Sequence, residues 1–339
     1  MRLLNSAERR DQIMRIAAIG AGDFGALHLE VYNELPQVDI AWICERHPER
    51  IAHYAEKYQC RITANIEDVL NDPTVDAVSI LTPEHAHFEQ AMAVLQHGKH
   101  VLIEKPVSTE AAQVEVIAKQ ADEKGLIAMP GHTCRFISSF ARARAYIEDQ
   151  QITPVSIFAR RNIPRERLPL HNRTHPVLMA LSHDIDLILS YVKSKPRRIL
   201  GMERKTDPSL QNPDIFWGMI QFEDGCIVAL ETLWVLPTSG KYVESAMEIA
   251  GIDQVLHINY PSDGIWINTS RGLEFPDPAF FEKVNGEWTG ALKSELSYFV
   301  RCVEERRKPE VVTMKEAATG VRIAQLLIQS AAEGREMTF

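Results

Sequence analysis

The sequence predicts an α/β chain in which a doubly wound parallel sheet is followed by a second, mainly antiparallel sheet. Three observations carry this prediction. Strand-like and helix-like stretches alternate through the first third at the spacing of βαβ units. Residues 13–25, IMRIAAIGAGDFG, run an apolar strand rich in β-branched residues straight into a glycine-rich turn. From about Pro154 onward, strand-like stretches follow one another with hairpin signals between them. At 339 residues the chain is long for one hydrophobic core, so two domains are expected. The boundaries expected are an N-terminal arm over 1–13, a first domain over 14–130 and a second over 131–339.

Taken in order, the strand ending at Gly20 leads into a helix over Ala26 to Leu35, and Ile40 to Cys44 forms the second strand. His47 to Tyr58 has helical character with Pro48 near its start, and Asn65 to Leu70 is a short helix before the Asn71-Asp72-Pro73 turn. Ala77 to Leu81 reads as a buried strand. Thr82 then suits an N-cap and Pro83 a first helical residue, for a helix over Glu84 to Gln96 that stops at Gly98. Val101 to Ile103 is the next strand, Ser108 caps a helix to about Lys124, and Leu126 to Met129 closes the unit. In the second part, Val155 to Ala159, Ile215 to Phe222, Cys226 to Trp234, Val243 to Ala250, Val255 to Asn259 and Ile265 to Asn268 read as strands. Glu223-Asp224-Gly225 reads as a hairpin turn. Helices return at Ala291 to Arg307 and from Lys315 to about Ala332. Trp217, Trp234, Trp266 and Trp288 all lie in this second part, and a sheet with an apolar face larger than its own helices favours packing against another subunit, a homodimer or homotetramer.

Net charge of -9 without a basic stripe argues against nucleic acid as a partner. The five cysteines are odd in number and contain no CxxC pair, so neither a disulfide framework nor a thiolate metal site is suggested, and a reducing cytoplasm fits. The opening residues, with Glu8, Arg9, Arg10 and Asp11, lack the apolar core of a secretory signal, and no stretch has membrane-spanning length.

The glycine turn carries the first chemistry. In a dinucleotide fold Gly20 allows the turn, Gly22 lets backbone approach a pyrophosphate, and Gly25 lets helix pack close to strand. Asp23 and Phe24 complete the turn at a helix N-terminus that offers free N-H groups to phosphate. Glu45, about 20 residues past the last glycine, stands where a carboxylate accepts hydrogen bonds from ribose hydroxyls and repels a 2′-phosphate. NAD is therefore the expected cofactor, with NADP open because Arg46 can pair with that phosphate. A second constellation, Glu104-Lys105-Pro106, follows a strand directly, so Lys105 enters the crevice where such a ligand lies. A surface lysine in a turn is the plain alternative. Proline at 106 also permits a cis bond at modest cost.

The third constellation runs from His175-Pro176 to Tyr191 and reads as one helix. Val177, Leu178, Leu181, Ile185, Ile188, Leu189 and Val192 mark its apolar face, and Met179, His183, Asp186 and Ser190 mark the opposite stripe. A histidine with a carboxylate one turn on can be held in one tautomer and carry a proton near neutral pH. The same pair serves equally as a structural hydrogen bond. A metal site from His171, His175 and His183 matches no helical ligand spacing.

Together, the glycine turn with His28, Glu45-Arg46, Thr82-Pro83 with His87, Glu104-Lys105-Pro106, Gly131 with Arg135-Phe136, and His183-Asp184-Ile185-Asp186 resemble the glucose-fructose oxidoreductase and inositol dehydrogenase (Gfo/Idh/MocA) family. The resemblance covers nearly the whole chain beyond the arm. It implies an N-terminal Rossmann domain, a C-terminal open antiparallel sheet flanked by helices and used for oligomerisation, and NAD(P)-dependent transfer of hydride to or from sugars, cyclitols or related alcohols. It further implies Lys105 and His183 at the reactive centre, and Thr82, Pro83, His87, Glu104 and Lys105 among the cofactor contacts. Many members carry aspartate four residues before the histidine, where this chain has Met179. Asp186 is then the candidate for orienting His183, and Arg135, His171, Arg173 and His175 are candidate substrate contacts that could each be structural instead. Two other functions stay open: a glycoside hydrolase working through a tightly held NAD, and a dinucleotide-sensing regulator without catalysis.

Overall fold

Short apolar runs buried on both faces can satisfy their backbone only in a sheet covered on both sides. The computed structural model, which describes residues 13–237, 243–260, 267–269, 272–274 and 279–339, shows that arrangement in the first unit. Strands β1 (Met14–Ile19), β2 (Val38–Cys44), β3 (Arg61–Thr63), β4 (Ala77–Ile80), β5 (His100–Glu104) and β6 (Ala128–Gly131) pair in the order β3-β2-β1-β4-β5-β6, all parallel. The crossovers carry α1 (Asp23–Glu34), α2 (His53–Tyr58), α3 (Ile66–Leu70), α4 (His87–Gln96) and α5 (Ala111–Lys124). This is the expected doubly wound Rossmann order. β3 escaped the sequence reading because three residues with one charged and one hydroxyl side chain show no period.

Local chemistry corrects several boundaries. The stretch from His47 splits into a 3-10 turn at Pro48–Arg50 and α2. Pro83, not Thr82, occupies the N-cap position of the turn over Glu84–Ala86, while the Thr82 hydroxyl donates to Gln90 Oε1 at 2.6 Å. Ser108 likewise stands before its helix, which starts at Ala111, and its hydroxyl donates to the Gln113 side chain.

The second unit is built on a seven-stranded sheet. Its strands are β7 (Ser156–Asn162), β8 (Pro196–Arg204), β9 (Ile215–Phe222), β10 (Ile227–Leu233), β11 (Glu244–Gly251) and β12 (Gln254–Tyr260), with the C-terminal β17 (Met337–Thr338) beyond β8 in the order β12-β11-β7-β10-β9-β8-β17. Only the central β10–β7 pair is parallel. The turn at 223–225 closes the β9–β10 hairpin, with Gly225 at φ +94° and the Asp224 carboxylate accepting from Cys226 N–H at 3.1 Å. β8 was not read from the sequence, because Arg197, Arg198, Glu203 and Arg204 are exposed and mask its period. The helices of this unit include α6 (Ser138–Asp149), the short α7 (Leu168–His171) and α8 (Ser182–Tyr191). Ahead of α8, residues Val177–Leu181 form a π-helical turn, so the expected single helix has a break in phase. Of the strand expected over 265–268, Ile265 and Trp266 lie outside the described residues. β13 (Ile267–Thr269) pairs with β14 (Gly272–Glu274).

After β15 (Glu282–Val284) and β16 (Glu287–Thr289), the helix α9 (Ala291–Glu304) packs against α1. Contacts therefore divide the chain at Gly131/His132, and residues 283–315 belong to the first unit, although the sequence reading assigned everything after 130 to the second. The reason is polar as well as apolar: Glu34 on α1 accepts Trp288 N–H at 2.8 Å and pairs with Lys293 at 3.6 Å. The last helix, α10 (Met314–Glu333), leads to β17 (Met337–Thr338). The expected arm falls on residues outside the described ones, apart from Ile13.

Helix α10 crosses β8 at Gly201, where a Cβ would stand 2.2 Å from the Leu327 carbonyl oxygen. The Gly201 N–H instead donates to Ser330 Oγ at 2.9 Å. Gly201→Ala is expected to destabilise the protein by about 1–3 kcal/mol through overpacking, read as a lower urea midpoint at unchanged slope. A wild-type midpoint would contradict this close approach.

Candidate functional site

In the first unit the turn after β1 is shaped by what glycine lacks. Gly20 has φ +97°, and a Cβ there would meet the Leu81 backbone at 2.9 Å. A Cβ on Gly25 would stand 2.6 Å from the Gly20 carbonyl oxygen, so α1 can begin at the strand end only without one. Over Gly22, by contrast, nothing lies within 4 Å of the Cβ position. Gly22 is also the N-cap of α1 and has no side chain to cap it, while Asp23 is exposed and the half-buried Phe24 ring packs edge-on to His28 at 5.1 Å. Glu45, just past β2, accepts Ala21 N–H at 2.9 Å, which brings a carboxylate to the rim of the turn; Arg46 beside it is exposed. Open space, an uncapped helix N-terminus and an acidic side chain at the end of β2 fit a dinucleotide.

Farther along the same sheet edge the polar residues turn inward. His87 is 1 % exposed, and its Nδ1 lies 2.8 Å from the Pro106 carbonyl oxygen while its Nε2 lies 2.7 Å from that of Thr82. It ties the loops after β4 and β5 together, so the expectation that it contacts a cofactor does not hold. Glu104 is also buried. Its Oε2 accepts Lys105 N–H at 3.1 Å and its Oε1 stands 3.3 Å from Nε2 of the buried His28, so it too supports the loop from within. Lys105 is half-buried at the carboxyl end of β5, and the Lys105-Pro106 bond is cis. Pro83 is exposed and Thr82 half-buried on the same edge.

The second unit places His183 half-buried in the first turn of α8. Asp186 does not orient it. The Asp186 carboxylate is 2 % exposed and takes a bidentate pair from Arg135, at 2.6 Å to Nε and 2.8 Å to Nη2, with His132 Nδ1 at 3.8 Å. Burial works against the Arg135 charge, but the Asp186 carboxylate outweighs it and holds the guanidinium above its ordinary pKa. Arg135 is therefore a buried ion-pair partner and not a substrate contact. One residue before it, Cys134 Sγ lies 3.4 Å from His183 Nδ1. Arg161 on β7 donates to the same sulfur at 3.9 Å and grips Asp184 at 2.7 and 3.1 Å. There again the carboxylate outweighs burial, and the Arg161 pKa is raised. Asp184 and Arg161 were missed as a pair, since sequence offers no link across 23 positions.

The remaining candidates are engaged elsewhere. His175 accepts Val177 N–H at 3.3 Å and its Nε2 meets Glu203 at 3.0 Å, which makes it the entry to the π turn. Burial pushes its pKa down, and Glu203 only partly opposes that. Arg173 is exposed and donates to the Leu170 carbonyl at 2.8 Å. The His171 side chain lies outside the described residues. Met179 packs against the apolar cluster of Ile163, Leu168, Ala180 and Trp234. Among the described residues, no group of three His, Cys, Asp or Glu side chains could hold a metal, and no helix is long and apolar enough to cross a membrane.

Comparison with known proteins agrees with these arrangements. Residues 14–132 match the family model described as oxidoreductase family, NAD-binding Rossmann fold, and residues 171–339 match its companion, oxidoreductase family, C-terminal alpha/beta domain. A 4-carboxy-2-hydroxymuconate-6-semialdehyde dehydrogenase of Sphingobium sp. is 34 % identical over 51 % of this chain and 58 % of its own length. A UDP-N-acetylglucosamine 3-dehydrogenase of Acidithiobacillus ferrooxidans is 30 % identical over 57 % of this chain and 60 % of its own. The chain thus matches less than two thirds of either relative. The crystal structure of myo-inositol 2-dehydrogenase from Lactobacillus plantarum shares the fold, with TM-score 0.83 and 19 % identity over 96 % of this chain and 99 % of that one. Matched in both its N-terminal and C-terminal parts, the chain belongs to the Gfo/Idh/MocA oxidoreductase family.

Proposed function

We propose that this protein is an NAD-dependent oxidoreductase that transfers a hydride between nicotinamide and a secondary alcohol or ketone of a sugar, cyclitol or related polyol. The observation that carries the reading is the first sheet's carboxyl edge: the glycine turn with Glu45 at its rim follows β1 and β2, and Lys105 leaves β5 on that same edge. The dehydrogenase names of the two curated relatives support the reaction class, and their different substrates leave the polyol itself to experiment.

Bound at the turn, NAD supplies the hydride acceptor for the substrate carbon. The protein's residues handle the oxygen. The Lys105 ammonium hydrogen-bonds it and stabilises the charge that develops as the carbon is oxidised. His183 takes the hydroxyl proton. Glu104 and His87 act through Lys105, holding its loop from the buried side. Asp186 has no proton to handle in this scheme, because Arg135 engages both of its oxygens.

The second sheet bears on assembly. Met202, Trp217, Met219 and Ile227 are 62, 40, 48 and 44 % exposed, and Trp217 stacks on Phe158 at 6.5 Å, so β8, β9 and β10 present a continuous apolar face. We propose that a second copy covers it.

Activity should appear as reduced-nicotinamide absorbance in a screen of polyols, cyclitols and aldoses that depends on added NAD. On a substrate so identified, His183→Ala and Lys105→Met should each lower turnover by roughly 10² to 10⁴, with NAD affinity little changed in the histidine variant. Full activity of His183→Ala would place the proton carrier elsewhere. NAD should bind more tightly than NADP, and Glu45→Ala should shift the ratio toward NADP by roughly tenfold, a difference of about 1.4 kcal/mol; equal binding by the unmodified protein would refute the preference. Trp217→Glu should reduce the sedimenting mass to that of one chain, and a wild-type protein that already sediments as one chain would remove the assembly.

A further inference from the structure

His183 needs one ring nitrogen free to exchange a proton, and an imidazole can be committed to that only if the other nitrogen is held. The expected holder, Asp186, is locked to Arg135. A sulfur lies against Nδ1: Cys134 Sγ at 3.4 Å. Cys134 is 3 % exposed, at the start of the chain segment that also supplies Arg135, so its position is set by the same buried pair. Arg161 directs Nη2 at the sulfur from 3.9 Å, while its Nε and Nη2 also bond the Asp184 carboxylate on α8. The Arg161 N–H directed at the sulfur polarises it as an acceptor. A sulfur so polarised accepts a hydrogen bond, which leaves the ring proton on Nδ1 and the lone pair on Nε2.

We infer that Cys134 is the positioning residue of His183, its sulfur accepting the Nδ1 proton so that Nε2 is the nitrogen that exchanges protons with substrate. This assignment rests on the proton-carrier role proposed above for His183. It gives the cysteine a role that the missing aspartate at Met179 leaves vacant, and it gives Arg161 and Asp184 a purpose beyond packing: they hold the sulfur against the ring.

The test reads the ring directly, in full-length protein labelled with ¹⁵N-histidine at a pH where the ring is neutral. The His183 signals are those lost in His183→Ala. Wild-type protein should show the proton on Nδ1. Cys134→Ala should give a mixture of tautomers and lower kcat by roughly five- to tenfold, the worth of one hydrogen bond, with KM for NAD unchanged. Cys134→Ser, whose hydroxyl oxygen can also accept, should keep the Nδ1 proton and recover most of kcat. A wild-type ring protonated on Nε2, or an unchanged tautomer in Cys134→Ala, would overturn the assignment. Full activity of His183→Ala would instead remove the proton-carrier reading, while the tautomer result would still report the contact itself.

Discussion

The absence of a single carbon atom sets the geometry of the first unit. Because position 25 has no Cβ, helix α1 starts against the Gly20 carbonyl, and its N-terminus opens at the carboxyl end of β1. Everything else on that edge is arranged by short polar ties. Glu45 links the end of β2 to the turn through Ala21, and His87 links the loops after β4 and β5 through two carbonyl oxygens. His87 braces backbone on both sides, although in the motif it looks like a contact. The edge is thus stiffened from behind.

The second unit uses charge where the first uses close backbone packing. Arg135–Asp186 and Arg161–Asp184 are both almost fully buried, and each carboxylate accepts two N–H groups from its arginine. Such pairs add little net stability, since desolvation offsets most of the attraction, yet losing one partner costs roughly 3–5 kcal/mol. They therefore act as selectors of arrangement. With one pair reaching β7 and the other the 133–136 turn, α8 has one rotation about its axis, and His183 inherits it.

Much of this was legible in the sequence because it is local. Glycine spacing, strand–helix alternation and the hairpin at 223–225 depend on neighbours within a few positions, and the two kinds of sheet followed from them, without the members β3 and β8. Glu45 and Lys105 were expected just past strand ends, and there they stand. What could not be read depends on pairs distant along the chain. Asp186 looked like a partner for His183 because helical spacing put it one turn on, and nothing local shows that Arg135, 51 positions earlier, would claim it. The π turn at Val177–Leu181 misleads in another way: one extra residue in a turn rotates everything before it relative to everything after. The stripe drawn through Met179 and His183 is therefore broken, and Met179 packs against Trp234 and its neighbours. Nor is α8 one-sided, since Asp184, Ile185, Asp186, Leu187, Ile188 and Ser190 are all buried.

The strand order of the second sheet bears on when α8 can settle. β7 and β8 run in the same direction, as the parallel β7–β10 pair and the two antiparallel steps to β8 require, and α8 is part of the connection between them. The two strands are not neighbours, because β10 and β9 lie in the gap. As the chain leaves the ribosome, α8 is therefore complete before the strands that fill that gap exist, and β8 has no sheet partner until residues 215–222 have been made. The helix that carries His183 is thus made after both of its arginine partners and before the strands that fill the gap in the sheet.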